Sequence, residues 1–388
     1  MSTEDLKTLR LQLIVFSITR TLINTGFRLI YPFLPAIARG LGVDVRSITL
    51  AITARSTLGV AAPFIGSLGD SIGRKRSMLL GLLTFSVGYV IVIVWPTYPS
   101  LFIALILGAL GKIIFDPSMQ AYLGDRTSYQ QRGRAIAITE LGWSSASLIG
   151  LPLVGWLIAR SNWAAPFPLL GIFTLGMAIW LLGLLPADEA PRRDRPSFTT
   201  TAGNIIKHPS ALAALTIALL ISVSNESVNI IYGLWLENSF GLQVAALGAA
   251  SAVIGLAELG GEGLVAGITD RLGKRRAVIS GTLAIAATCL LLPQVATTTA
   301  GALVGLFLFY FSFEFTFVSL IPMMTELVPS ARATLLASNL AASAFGRGLG
   351  AFIGPYLFEY SLFANTIFSA AVAVLALVVL ILGVREDS

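Results

Sequence analysis

The segment Gly66-Ser67-Leu68-Gly69-Asp70-Ser71-Ile72-Gly73-Arg74-Lys75-Arg76 and its later echo, Gly267-Ile268-Thr269-Asp270-Arg271-Leu272-Gly273-Lys274-Arg275-Arg276, decide how this chain is organised. Both share an Asp-x-x-Gly core followed by basic residues, and the cores stand 200 residues apart in a chain of 388. A second echo links Arg132-Gly133-Arg134-Ala135 to Ala331-Arg332-Ala333, with 198 residues between Arg134 and Arg332. Two matches at one period of half the chain indicate internal duplication.

Each copy of the motif is a short polar break between long apolar runs. The chain is 55% hydrophobic and only 12% charged, too little polar surface to cover a water-soluble globule of this length. A membrane-spanning helix needs roughly 20 apolar residues, and the runs predict spans near 12–36, 47–69, 77–95, 99–123, 135–159, 164–186, 211–236, 244–268, 277–294, 300–325, 333–358 and 361–384. Continuous apolar stretches such as Met78 to Trp95 exclude the period-2 alternation of a membrane barrel. The first run is too long and too interrupted for a cleaved signal peptide and is expected to be the first span.

The expected layout is an all-α membrane protein of two six-helix halves, 1–186 and 210–388, joined by the polar linker 187–209. With both termini in the cytoplasm, 18 of the 26 Lys and Arg fall in cytoplasmic segments, five fall inside helices, and three (Arg39, Arg46 and Arg160) fall outside. That asymmetry follows the positive-inside rule and predicts a multi-pass protein of the inner (plasma) membrane. The basic residues are scattered over several loops, so the net charge of +6 does not form the clustered face that nucleic acid requires. Cys289 lies inside a span and offers no disulfide within a single chain, and the chain is expected to act as a monomer. His208, the sole histidine, has no companion ligands, so no metal or other cofactor is expected.

The stretch Gly66 to Arg76, with its degenerate copy at the expected place, resembles the loop signature of the major facilitator superfamily, and the likeness covers essentially the whole chain. The resemblance implies two pseudo-symmetric bundles around a central cavity. It also implies that Gly66, Asp70, Gly73, Arg74, Asp270, Gly273, Lys274, Asp125 and Arg134 form a conformational latch on the cytoplasmic side. The fourth span around Lys112, with Asp125 and Arg134 downstream, is similar to the twelve-helix drug and metabolite:proton antiporters. That branch usually has Arg at Lys112 and Gly at Asp116. This chain also carries Gly150-Leu151-Pro152 where the branch's antiporter motif has adjoining Gly-Pro.

Eleven ionisable residues fall inside the predicted spans: Arg20, Arg28, Arg55, Lys112, Asp116, Glu140, Glu226, Glu258, Glu262, Glu314 and Arg347. Each costs on the order of 2.5 to 3.5 kcal/mol near a helix centre, so they must face a cavity or one another. Arg20, Asn24, Arg28 and Tyr31 share one face of the first span, and Glu226, Asn229 and Tyr232 recur at helical spacing in the seventh. With Lys112, Asp116 and Arg347 they form the expected substrate-binding set. Lys112 and Asp116, one turn apart, also fit a local ion pair. Glu314, set among Phe311, Phe313, Phe315 and Phe317, is the leading proton-coupling candidate, because apolar surroundings disfavour an ionised carboxylate. Asp116 and Glu226 are further coupling candidates, Arg347 is the alternative ion-pair partner for Glu314, and Glu140 is expected to pair with Arg134 or another latch charge.

These residues, with the family likeness, predict a secondary transporter: alternating access, protons as the coupling ion, and efflux of a small organic or amphiphilic molecule across the lipid bilayer. The rival is a uniporter or importer of an organic anion or acidic lipid clamped by Arg20 and Arg28. An enzyme is not expected. Gly260-Gly261-Glu262-Gly263 lacks the Lys-Ser/Thr ending of a phosphate-binding loop, and one histidine cannot supply a nucleophile, base and acid set together with cofactor ligands.

Overall fold

The computed structural model describes residues 3–65, 71–127, 129–188, 205, 208–328 and 331–384, and for 3–7, 129–134, 270 and 333 it describes the backbone alone. Among the described residues twelve long helices follow one another. Helix α1 is the bent pair Thr3–Arg28 and Ile30–Leu41, and α2 runs Val45–Leu58 and on through Gly59–Ala61 and Ala62–Ile65. Then come α3 (Arg74–Val94), α4 (Tyr98–Arg126), α5 (Tyr129–Ser145, a π turn at Ala146–Gly150, then Leu151–Arg160) and α6 (Pro166–Leu184). The later six are α7 (Pro209–Asn229 and Tyr232–Phe240), α8 (Val244–Leu272), α9 (Lys274–Val295), α10 (Thr299–Leu327), α11 (Arg332–Tyr360) and α12 (Leu362–Gly383).

Ten of these spans are long and apolar enough to cross a membrane, and bent α1 makes an eleventh. Helix α11 falls short of that apolarity while spanning 29 residues, or roughly 43 Å at 1.5 Å each. It holds Asn339 and Ser343 buried rather than facing outward. The first span is longer than expected and breaks by 51° at Leu29. Pro32 has no N–H to give the Arg28 carbonyl four residues back, which accounts for the break.

The repeat is visible in the backbone. Among the described residues, four glycines have positive φ and fall into two pairs, Gly42 with Gly241 and Gly73 with Gly273, each pair one repeat apart. Each is a tight reversal between consecutive helices that only glycine adopts without strain. Thr97 and Thr298 likewise stand at the N-termini of α4 and α10. The Thr298 hydroxyl accepts the Gly301 N–H at 3.1 Å, whereas at Thr97 the backbone N–H and carbonyl both bond to the Ser100 hydroxyl.

The helices pack through small residues. Gly81 and Gly111 let α3 and α4 meet backbone to backbone, since a methyl on either would lie 2.5 to 2.7 Å from the other's carbonyl oxygen. Gly346, Gly350 and Gly354 lay α11 against α7, where a methyl at Gly346 would reach the Leu219 carbonyl at 2.3 Å. Between the two groups of six helices, α2 packs on α11, α5 on α8 and the upper part of α1 on α7. Gly155 and Gly248 mark one crossing, and Gly233 lies against the Tyr31 and Pro32 carbonyls at another. Large apolar side chains such as Val94, Ile179 and Leu382 point outward, as a lipid-facing surface requires.

Candidate functional site: the charged seam between the two groups of helices

The bend in α1 places Arg28 and Tyr31 on either side of the break, at mid-depth and facing the later six helices. Arg28 reaches Glu258 of α8 with both guanidinium ends, at 2.9 and 2.7 Å, and both side chains are buried. Trp143 of α5 lies beneath the guanidinium, 4.5 Å from ring centroid to Arg28 Cζ, and donates its indole N–H to Glu258 at 3.2 Å. Such a bridge offsets the cost of burying its charges only when the geometry is good and the remaining polar atoms are satisfied. Here two donors converge on Glu258 Oε1 and the arene covers the cation.

A second link crosses the seam through Tyr31, whose hydroxyl donates to Glu226 of α7 at 2.8 Å and accepts from Arg55 of α2 at 2.8 Å. Arg55 also donates to the Phe27 carbonyl at 2.7 Å, beside the break in α1, and stacks 3.9 Å above the Phe27 ring. The other Glu226 oxygen accepts from Asn229 at 3.2 Å, and the Asn229 amide oxygen accepts from Tyr310 of α10 at 2.6 Å. The result is a continuous polar chain through α2, α1, α7 and α10.

The third cluster lies within the first six helices. Lys112 donates to Asn24 and to Asp116, each at 2.6 Å. Arg20 pairs with Asp116 at 3.4 Å and with Glu140 at 2.6 Å, and Gln120 donates to Glu140 at 3.0 Å. Glu140 was expected to meet Arg134 or another latch charge; the Arg134 side chain lies outside the described residues, and the turn of α5 aims Glu140 inward at Arg20. Its side chain keeps 38% exposure although it bonds to α1 and α4, so solvent reaches this part of the seam.

Three charges at the seam stay without a hydrogen bond or ion pair among the described residues: Glu262 of α8, Glu314 of α10 and Arg347 of α11. Glu314 is buried, with its Cβ against Gly261 of α8. Its charged neighbours are Glu258, Glu262, Arg28 and Glu140. Arg347 is not the partner of Glu314: the carboxylate nearest in influence is Glu226, which is bonded to Tyr31 and Asn229 instead. The Tyr232 hydroxyl goes to Ser251 at 3.1 Å, within its own group of helices.

The latch residues divide. Gly66 and Asp70 lie outside the described residues, and Asp270 and Arg134 are described by backbone alone. Arg74 meets Asp125 at 3.6 Å, and one repeat later Lys274 meets Glu326. The next basic residue works the same way in both copies. Lys75 donates to the Leu185 carbonyl at the end of α6 at 2.7 Å, and Arg275 donates to the Ile381 and Val384 carbonyls at the end of α12. Among the described residues, these motif contacts all stay within one group of six helices.

At the opposite end the groups are tied to each other, by Arg39 with Glu237 and by Arg46 with Glu359. Two of the three cations expected outside therefore have a carboxylate from the other group. At the start of α2, the hydroxyl and amide of Ser47 hold the Asp44 carboxyl below its ordinary value of 3.8.

The sequence assigned no part to Trp143, Tyr310 or Glu326, and it left Arg55 and Glu258, singled out as intramembrane charges, without their partners. A signal existed for Glu326, which sits one repeat after Asp125. None existed for Glu258, whose partner is 230 residues away.

A bundle of twelve membrane-length helices with broken α1 and α7 and a charged seam at mid-depth defines a polytopic membrane transporter. The Major Facilitator Superfamily model matches residues 16–351 and, in a second match, 214–388, so the chain belongs to that superfamily. It is 23% identical to Multidrug resistance protein 2 of Bacillus subtilis (strain 168), over 91% of this chain and 90% of that protein. It is 27% identical to the class C Tetracycline resistance protein of Escherichia coli, over 69% and 70%. Among solved structures, a bacterial homolog of the human lysosomal transporter Spinster, inward-facing and unoccupied, covers 100% of both chains at a TM-score of 0.77 and 14% identity, a likeness of fold.

Proposed function

We propose that this protein exports a small organic or amphiphilic molecule in exchange for protons, with the halves 1–186 and 210–388 rocking about the seam. The observation that carries the reading is Glu314, a buried carboxyl group with no bonded partner among the described residues. A charge so placed can pass between two environments only if a proton or a cation neutralises it, which is what coupling requires. Asp116 and Glu226 are secondary candidates, since both already hold donors. The resistance proteins among the relatives favour efflux. In this reading the positive-inside charge pattern places both termini and the motif loops in the cytoplasm of a plasma membrane.

Substrate would contact Arg20, Asn24, Arg28, Tyr31, Lys112, Asp116, Glu226, Asn229, Tyr232 and Arg347 as the seam opens, while Arg74 with Asp125 and Lys274 with Glu326 brace the motif loops. The rival organic-anion clamp has no support, because Arg20 and Arg28 are each held by carboxylates.

Reconstituted vesicles with an imposed pH gradient test the reading. The gradient is expected to drive accumulation of an amphiphilic dye, and Glu314→Gln is expected to abolish the response to the gradient while dye binding survives. Transport indifferent to the gradient, with Glu314→Gln fully active, overturns it.

A further inference from the structure

The unpartnered charges are not mixed along the seam. Glu262 and Glu314 sit together on α8 and α10, and their charged neighbours are already matched: Arg28 is held by Glu258, and Arg20 by Asp116 and Glu140. That side carries an excess of negative charge. Arg347 sits on α11 with Arg55 and the single carboxylate Glu226 as its charged neighbours, so its side carries an excess of positive charge.

The positive side also holds unused hydrogen-bonding capacity. Asn339, Ser343 and Arg347 follow one another at i, i+4 and i+8 on one face of α11. The Asn339 Oδ1 and Ser343 Oγ atoms are buried without a partner among the described residues, as are Ser222 Oγ and Asn225 Nδ2 of α7. Ser222 lies against Gly346, the residue before Arg347. Buried polar atoms left unpaired in this number are costly unless something else satisfies them.

We propose that the seam binds a zwitterionic molecule, with its ammonium end at Glu262 and Glu314 and its anionic end at Arg347, Ser343 and Asn339. The inference rests on the transporter reading for its purpose and is silent on coupling. Among the described residues, Arg347 is the one seam cation available to an anionic group without first breaking an ion pair or a hydrogen bond, since Arg55 is held by the Phe27 carbonyl and the Tyr31 hydroxyl. A guanidinium matches a carboxylate or phosphate-like group with two parallel hydrogen bonds, and the neighbouring hydroxyl and amide extend that cradle.

The test is equilibrium binding to the purified full chain in detergent with no gradient, so its outcome is independent of proton coupling. The probes are acid and methyl-ester pairs: a rhodamine bearing a free carboxylate with its ester, and tryptophan with its ester. Each pair keeps its cationic end and differs only in the anion. The acid is expected to bind about tenfold more tightly than its ester, the size of one charge-assisted hydrogen bond. Arg347→Gln should erase that ratio by weakening the acid alone. Arg347→Lys should retain part of it, which separates loss of charge from loss of fold. Glu262→Gln should weaken acid and ester alike. The proposal is overturned if no acid outbinds its ester, absence of binding included, or if Arg347→Gln weakens both members equally.

Discussion

The two groups of six helices share a backbone plan and differ in how they treat charge. In the first, Arg20, Lys112, Asp116 and Glu140 close on one another. In the second, Glu262, Glu314 and Arg347 are held apart, and the remaining carboxylates, Glu226 and Glu258, are engaged by Tyr31 and Arg28 of the first. The first group closes one charged cluster on itself and lends Arg28 and Tyr31 to its neighbour, whereas the second has no such internal cluster among the described residues at the seam. This division suits a machine in which the first group provides a firm polar wall and the second provides the groups free to take a ligand or a proton.

Breaking the bridge between the groups should have the largest effect. Glu258→Ala leaves Arg28 buried beside Trp143 without a counter-charge, a loss of about 3 to 5 kcal/mol. The double replacement Arg28→Met with Glu258→Leu should recover most of it. Thermal unfolding in detergent measures both, and unchanged unfolding of Glu258→Ala would show the dependence between groups to be unimportant.

An intermediate effect is expected where helices touch within the second group. Gly346→Ala would push a methyl to 2.3 Å from the Leu219 carbonyl and should cost about 1 to 3 kcal/mol by forcing α11 off α7. The same change at Gly176 on α6, where nothing lies within 4 Å, should be neutral or stabilise by up to about 1 kcal/mol through helix propensity. Equal melting temperatures for the two variants would remove close packing as the reason for Gly346.

The smallest effect belongs to the exposed tie between Arg39 and Glu237. A double-mutant cycle with alanine should give a coupling of about 0 to 1 kcal/mol that fades in high salt. A larger, salt-independent coupling would mean that this end of the seam is held more rigidly than its exposure suggests.

Much of this arrangement is legible in the sequence. Apolar runs locate most of the spans to within a few residues, the longer first span being the clearest departure, and the motif pair reveals the repeat before any coordinate does. The break in α1 was also written there, in Pro32, within the interrupted run read as a single span. Pairing was not legible. Helical periodicity says which residues share a face, but it leaves open how far each helix is turned about its axis. The meeting of Glu140 with Arg20 could therefore not be read from spacing, and Arg347 could be set against Glu314 when it lies by Glu226. The uses of Lys75 and Arg275 were hidden for another reason: their partners are main-chain carbonyls, which carry no residue identity.

The tie between Arg39 and Glu237 has a bearing on ancestry. The two residues occupy the same turn of the two repeats, three and four positions before the left-handed glycines Gly42 and Gly241. One repeat after Arg39 stands Asn238, and one repeat before Glu237 stands Ala38, so neither copy carries both members of the pair. Two first copies facing each other about a twofold axis would set Arg39 against Ala38, and two second copies would set Glu237 against Asn238. The attachment at that end of the protein thus draws on residues that neither copy holds alone.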